Sequence, residues 1–252
     1  MIFDAKRETD RIIKFIRKYY YDNNLGGAVL GISGGKDSGV VAGLMCRAIG
    51  AENVLGLTLP CHSKEDDKNL AKLVSDEFGF KLINIDLTLV NDKFHDEVME
   101  TGNYSQEELK NSEINIKPRL RMMSCYYMAA LMSSVSGKGY IVIGTSNKCE
   151  LYVGYFTKGG DSVHDLSVIA DLTVDEVIKV GEVLGVPKEV LYRTPDDGLS
   201  GMTDEEKLGV KYSDIAKYMN NEEIPVNVKE RIKRLHKSSY HKFHVATYKQ
   251  DK

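Results

Sequence analysis

The run Gly31-Ile32-Ser33-Gly34-Gly35-Lys36-Asp37-Ser38 has the composition of an anion-holding loop. Glycines let backbone N–H groups turn toward one point, and a helix that begins there adds partial positive charge. Ser33 and Ser38 bring hydroxyl donors. Asp37 is a poor phosphate ligand but a good ligand for Mg²⁺ held between phosphates. The Walker arrangement is not met, because Lys36 precedes Asp37 and not Ser or Thr. The bland alternative is a glycine turn with no ligand. The apolar run before the loop, the helical pattern after it and the two serines weigh against that.

Further along stand Asn115-Ile116-Lys117-Pro118-Arg119-Leu120-Arg121-Met122, then Gly144-Thr145-Ser146-Asn147-Lys148-Cys149-Glu150. Gly154-Tyr155-Phe156-Thr157-Lys158-Gly159-Gly160-Asp161 follows, with Asp165 just beyond and His241-Lys242 near the end. Read singly, each has an ordinary explanation. Glu150 is then a helix-start carboxylate, Arg119 a surface cation and His241-Lys242 a solvated tail. His241 and His244 sit three apart without a third ligand, which argues against a metal between them. No Ser-His-Asp or Cys-His pattern suggests a covalent enzyme intermediate.

Alternating strand and helix patterns must position these groups. An amphipathic helix with Ile12, Ile13, Phe15, Ile16 and Tyr19 comes first, then a strand over 28–33 and a helix over 38–50. Strands at 54–60 and 81–87 flank a helix at 64–80, another strand is expected at 140–145, and a helix at 172–185. This is an α/β pattern: a doubly wound, mostly parallel sheet with helices on both faces. Segments 100–117 and 193–206 read as loops. Thr145 and Glu150 follow a strand, so they belong to the sheet edge that carries the glycine loop.

The chain has 252 residues, 42% of them hydrophobic and 28% charged, with a net charge of −3. That is enough for one sizeable core, and it carries no basic footprint for nucleic acid. No apolar run approaches the roughly 20 residues that span a bilayer. Cys46, Cys61, Cys125 and Cys149 form no C-x-x-C pair and read as reduced, buried or semi-buried thiols in a cytoplasmic protein.

The glycine loop resembles the SGGxDS loop of the PP-loop ATP pyrophosphatases, which cleave ATP between the α and β phosphates. In their order, the later motifs resemble those of the NAD synthetase family: N-x-x-x-R-x-R-M, G-T-x-x-x-x-E, G-x-x-T-K-x-G-D and H-K. The resemblance runs from about residue 5 to 245 and implies a single domain over 1–252 without a glutaminase domain. It also implies an ammonia-dependent ligase that adenylates the nicotinate carboxylate of nicotinic acid adenine dinucleotide with ATP, then amidates it. By resemblance, Gly31 to Ser38, Thr145 and Asp196 bind ATP, and Asp37 and Glu150 hold Mg²⁺. Arg119, Lys158, Asp165, His241 and Lys242 then bind the dinucleotide, with Asp37, Glu150 and Lys158 as the catalytic set. The family's Arg119 equivalent reaches the neighbouring subunit's dinucleotide, which implies a homodimer.

Two positions depart from the family. Val174 stands where a lysine often reaches ATP, and Asp196 where a hydroxyl often does. Lys36 is a candidate to restore the missing charge. Segment 195–206, with Gly198 and Gly201 as hinges, is a candidate lid. Two rival readings remain: another PP-loop enzyme, either tRNA-thiolating, which lacks support without paired cysteines or a basic surface, or GMP-forming, which needs a different carboxyl half, and a nucleotide-binding module whose catalysis has decayed.

Overall fold

The computed structural model describes residues 3–63, 65–193 and 203–250. Helix α1 (Ala5–Asp22) leads into strand β1 (Leu25–Gly31) and helix α2 (Lys36–Ile49); β2 (Val54–Thr58), α3 (Glu65–Phe78) and β3 (Lys81–Asn84) follow. Then come α4 (Thr88–Met99), α5 (Gln106–Glu113), α6 (Ile116–Ser136), β4 (Gly139–Gly144), α7 (Lys148–Val153) and the short β5 (Leu166–Ser167). Helices α8 (Val174–Leu184), α9 (Lys188–Leu191), α10 (Asp204–Leu208), α11 (Tyr212–Met219) and α12 (Val226–Phe243) complete the order.

The strands lie in the order β3-β2-β1-β4-β5, and every pair is parallel. Side chains alternate across the sheet, so neighbouring residues of β1 enter different cores. Ala28 and Leu30 join the apolar cluster of α1, α2 and α8, with Ile16, Leu44 and Val180. Val29 joins the opposite cluster with Cys125 and Ala129 of α6 and Val142 of β4. The sheet is thus covered on both faces, as the strand–helix alternation predicts. A third cluster joins Cys149 and Val153 of α7 to Tyr212, Ile215 and Ile232 of α11 and α12. It stands beyond the carboxyl ends of the strands. The strand order reverses between β1 and β4, and the carboxyl edge at such a switch point is where open α/β sheets bind ligands.

Two segments differ from the sequence expectation. The expected loop at 100–117 holds α5, started by a reciprocal cap between Ser105 and Glu108. That S-x-x-E signal was legible, but the helix is so polar that no apolar period accompanies it. Helix α4 buries none of its residues fully, although Val90, Phe94 and Val98 recur along it at helical spacing. Within 193–206, Thr203 caps α10 and pairs reciprocally with Glu206; Asp196 and both candidate hinge glycines lie outside the described residues.

All four cysteines are free, and three are buried. Burial pushes the thiols of Cys125 and Cys149 up to about 11. Among the described residues, no helix is long and apolar enough to cross a membrane.

Candidate active site

The glycine loop leaves β1 and enters α2 at the switch point. Ser38 Oγ accepts from the Ser33 N–H at 3.3 Å and donates to the Gly35 carbonyl at 3.0 Å. Ser33 Oγ accepts from the Gly35 N–H at 3.2 Å. These short-range bonds hold the loop in a fixed curl. Gly34 sits at φ 77°, where a side chain is strained, and a Cβ there would come 2.9 Å from the Asp67 carbonyl oxygen.

Asp37, in the first turn of α2, meets the N-terminal cap of α7. Asn147 caps α7: its carbonyl oxygen accepts from the Cys149 and Glu150 N–H groups, while Nδ2 donates to Asp37 Oδ1 at 3.3 Å. Glu150 Oε2 in turn accepts from the Asn147 N–H at 3.0 Å. This N-x-x-E reciprocal cap aims two carboxylates into one space. Sequence reading singled out Glu150 but passed over Asn147, although the capping pattern was there to be read.

Lys36 lies in the same space. It is only 6% exposed, and its Nζ is 3.2 Å from Asp37 Oδ2 and 6.0 Å from the centre of the Tyr212 ring. Burial works to lower the Lys36 pKa; Asp37 and Glu150 outweigh it and raise the value. Its charge is matched by carboxylates rather than held out to a phosphate. Burial, then the nearby Asp37, push Glu150 well above the usual carboxylate range. Asp204, which sequence reading placed only in a candidate lid, adds to this negative field and accepts from Tyr155 Oη at 2.8 Å.

The donor chemistry fits a Mg²⁺ ion shared with substrate phosphate. Among the described residues, no three of His, Cys, Asp and Glu converge into a cage. Mg²⁺ characteristically takes one or two carboxylates and fills its shell with phosphate oxygens and water. The Tyr212 hydroxyl, buried in the field of Glu150, Asp204 and Asp37, has no hydrogen-bond partner among the described residues. Such an orphan is expected where a hydrated ligand belongs.

A second group of charges starts where α7 ends. Gly154 takes the left-handed conformation at φ 69°, and a Cβ there would run into Ser239 of α12. Helix α12 therefore seats directly on this turn. Lys242 Nζ donates to the carbonyls of Gly154 at 2.7 Å and Phe156 at 2.6 Å. Lys158 Nζ donates to the His241 carbonyl at 2.8 Å. Arg119 directs Nε and Nη2 to the Lys158 carbonyl at 3.4 and 3.3 Å. Among the described residues, none of these three cations forms an ion pair within salt-bridge distance. Burial lowers the Lys242 pKa, opposed by Asp161.

The predicted residues thus divide. The glycine loop, Asp37 and Glu150 come together, with Thr145 at the same edge after β4. Arg119, Lys158, His241 and Lys242 form a second set. Asp165 belongs to neither network: its carboxylate accepts from the Val142 N–H at 2.8 Å and from Tyr126 Oη at 3.0 Å. Val174 packs against the third apolar cluster.

The sequence model of the NAD synthase family matches residues 8–246. An NH(3)-dependent NAD(+) synthetase of Alkaliphilus metalliredigens is 38% identical over 244 residues, covering 93% of this chain and 94% of that protein. Among solved structures, an NMN synthetase from Francisella tularensis superposes with a TM-score of 0.88 at 29% identity, covering 99% of this chain and 100% of that one. An NAD+ synthetase from Burkholderia pseudomallei gives 0.77 at 26% identity, with 96% and 91% covered. On sequence and on fold, this chain belongs to the NAD synthase family.

Proposed function

We propose that this protein is an ammonia-dependent NAD synthetase. The observation that carries the reading is the adjacency of two opposite fields. A phosphate loop lined by carboxylates stands beside cations anchored on main-chain carbonyls, and α7 joins the two.

A carboxylate is a poor acyl donor because its leaving group would be oxide. Adenylation solves this. The nicotinate oxygen of the dinucleotide attacks the α-phosphorus of ATP, and the bond to pyrophosphate breaks. Ammonia then attacks the acyl carbon, AMP leaves with the acyl oxygen, and the nitrogen loses a proton to give the amide. The glycine loop, from Gly31 to Ser38, holds the triphosphate with Thr145 at the same edge. Asp37 and Glu150 would hold Mg²⁺, which neutralises charge on the leaving pyrophosphate. Arg119, Lys158 and Lys242, with His241 beside them, receive the dinucleotide's anionic groups; Asp165, engaged with the Val142 N–H and Tyr126, stands outside both groups. Positioning and charge matching do this work, without a covalent enzyme intermediate.

The active form is a homodimer. Helix α6 leaves Met123, Tyr127, Leu131 and Val135 exposed along one stripe, and α4 exposes Leu89 and Phe94. Apolar area of this kind is what an isologous interface covers. Sedimentation showing a monomer at micromolar concentration would remove this part. Free, buried thiols suit a reducing cytoplasm.

The test is incubation with Mg-ATP, nicotinic acid adenine dinucleotide and ammonium, following NAD, AMP and pyrophosphate. All three rise in equal amounts, and none rises with Asp37→Ala. One observation favours a second reading: the NMN synthetase superposes better than the NAD+ synthetase quoted. Nicotinic acid mononucleotide is therefore run in parallel. A higher kcat/KM for the mononucleotide would move the substrate assignment and leave the chemistry intact.

A further inference from the structure

We infer that Arg193 is a phosphate-binding residue of this site, gripping the pyrophosphate portion of ATP against the glycine loop. Arg193 follows α9, far in sequence from the loop. Its Nη2 donates to Asp67 Oδ1 of α3 at 2.8 Å, across 126 residues. Its Nη1 lies 3.5 Å from the position a Cβ would take on Gly34. The loop, the Asp67 turn of α3 and the guanidinium therefore form one packed unit. Asp67 fixes one arm of the fork, and the other arm stands at the loop backbone.

The charges of the site call for such a group. A triphosphate brings several negative charges to an edge where Asp37, Glu150 and Asp204 already surround Lys36. The Lys36 ammonium is engaged with Asp37, and position 174, a valine, is packed among apolar side chains. Arg193 brings a guanidinium to the loop from outside that carboxylate cluster. A fork suits phosphate oxygens, and anchoring by Asp67 removes most of the entropy loss of holding a long side chain. Arg193 is 22% exposed at its side chain and Asp67 26%, so the pair is reachable by a ligand without being freely solvated.

This inference rests on the ATP-dependent reading above. The test is calorimetric titration of the whole chain with ATP, pyrophosphate and AMP in Mg²⁺. Arg193→Gln weakens ATP and pyrophosphate by about tenfold to a hundredfold, the size of one charge-assisted contact. AMP binding stays within twofold. Arg193→Lys recovers part of the loss, and Asp67→Asn, which frees the fork, gives a smaller loss of the same pattern. ATP and pyrophosphate affinities within twofold of wild type in Arg193→Gln would overturn the inference, as would an equal loss for AMP. A wild-type chain that binds no ATP would bring down the proposed function itself, and this inference with it.

Discussion

The loop side of the site, around α2 and α7, and the tail side, around α12, handle charge in opposite ways. On the loop side the single ammonium of Lys36 stands among three carboxylates, Asp37, Glu150 and Asp204, in a part-buried space. On the tail side Arg119, Lys158 and Lys242 are tied to backbone carbonyls, which orient a cation without cancelling its charge. Carboxylates crowded until one resists ionisation are poised for an incoming cation. Cations held by neutral acceptors are poised for an incoming anion. The two sides are therefore matched to the two charged substrates the proposed reaction brings together.

The largest expected effect tests the loop side. Asp37→Ala or Glu150→Ala lowers kcat on the order of a thousandfold, measured by AMP release, while binding of the dinucleotide alone is retained. Comparable losses in both would erase the division. Next is Lys36→Met, which leaves Asp37 and Glu150 facing each other. Breaking a buried pair by removing one partner is destabilising by about 3 kcal/mol or more. Urea unfolding with a chelator present reports that loss, and Mg²⁺ recovers much of it. No recovery would mean that the carboxylates do not form a cation site. On the tail side, Arg119→Gln and Lys242→Met each raise KM for the dinucleotide by about tenfold to a hundredfold. Neither changes the affinity for ATP; a parallel loss for ATP would merge the two regions.

The smallest effect is a pH dependence confined to the loop side. Burial and Asp37 raise the Glu150 pKa, so the folded chain keeps a proton that the unfolded chain has released. Stability from this group is complete below the ordinary carboxylate value and lost as pH rises through the raised one. The metal-free protein therefore loses stability across that window, and Glu150→Gln does not. Metal binding runs the other way, because it needs the ionised form, so the Mg²⁺ concentration for half-maximal activity rises as pH falls. Melting curves and Mg²⁺ titrations across pH measure both; a Glu150→Gln variant with the wild-type pH profile would assign the effect elsewhere.

Local chemistry was the legible part. The glycine loop, the N-x-x-E cap of α7 and the apolar runs of β1 and β2 each carry their structural reason within a few residues. Helix α5 escaped because a polar helix has no apolar period to read. Asp165 shows the same limit at the site. Its side chain braces β4 through the Val142 N–H, a bond to main chain that leaves no signature in residue type.

What the sequence by itself determined is the α/β alternation, the glycine-rich turn between β1 and α2, and the family, because these rest on short-range pattern and on motifs kept in order. Only the tertiary structure decided which charges meet. Lys36 turns to Asp37 and not away from it, Arg193 reaches Asp67 across 126 residues, and Lys158 finds the His241 carbonyl from 83 residues away. The reason is physical. The energy of a charge depends on its burial and on partners brought close by the fold, and neither quantity is a property of a residue's place along the chain.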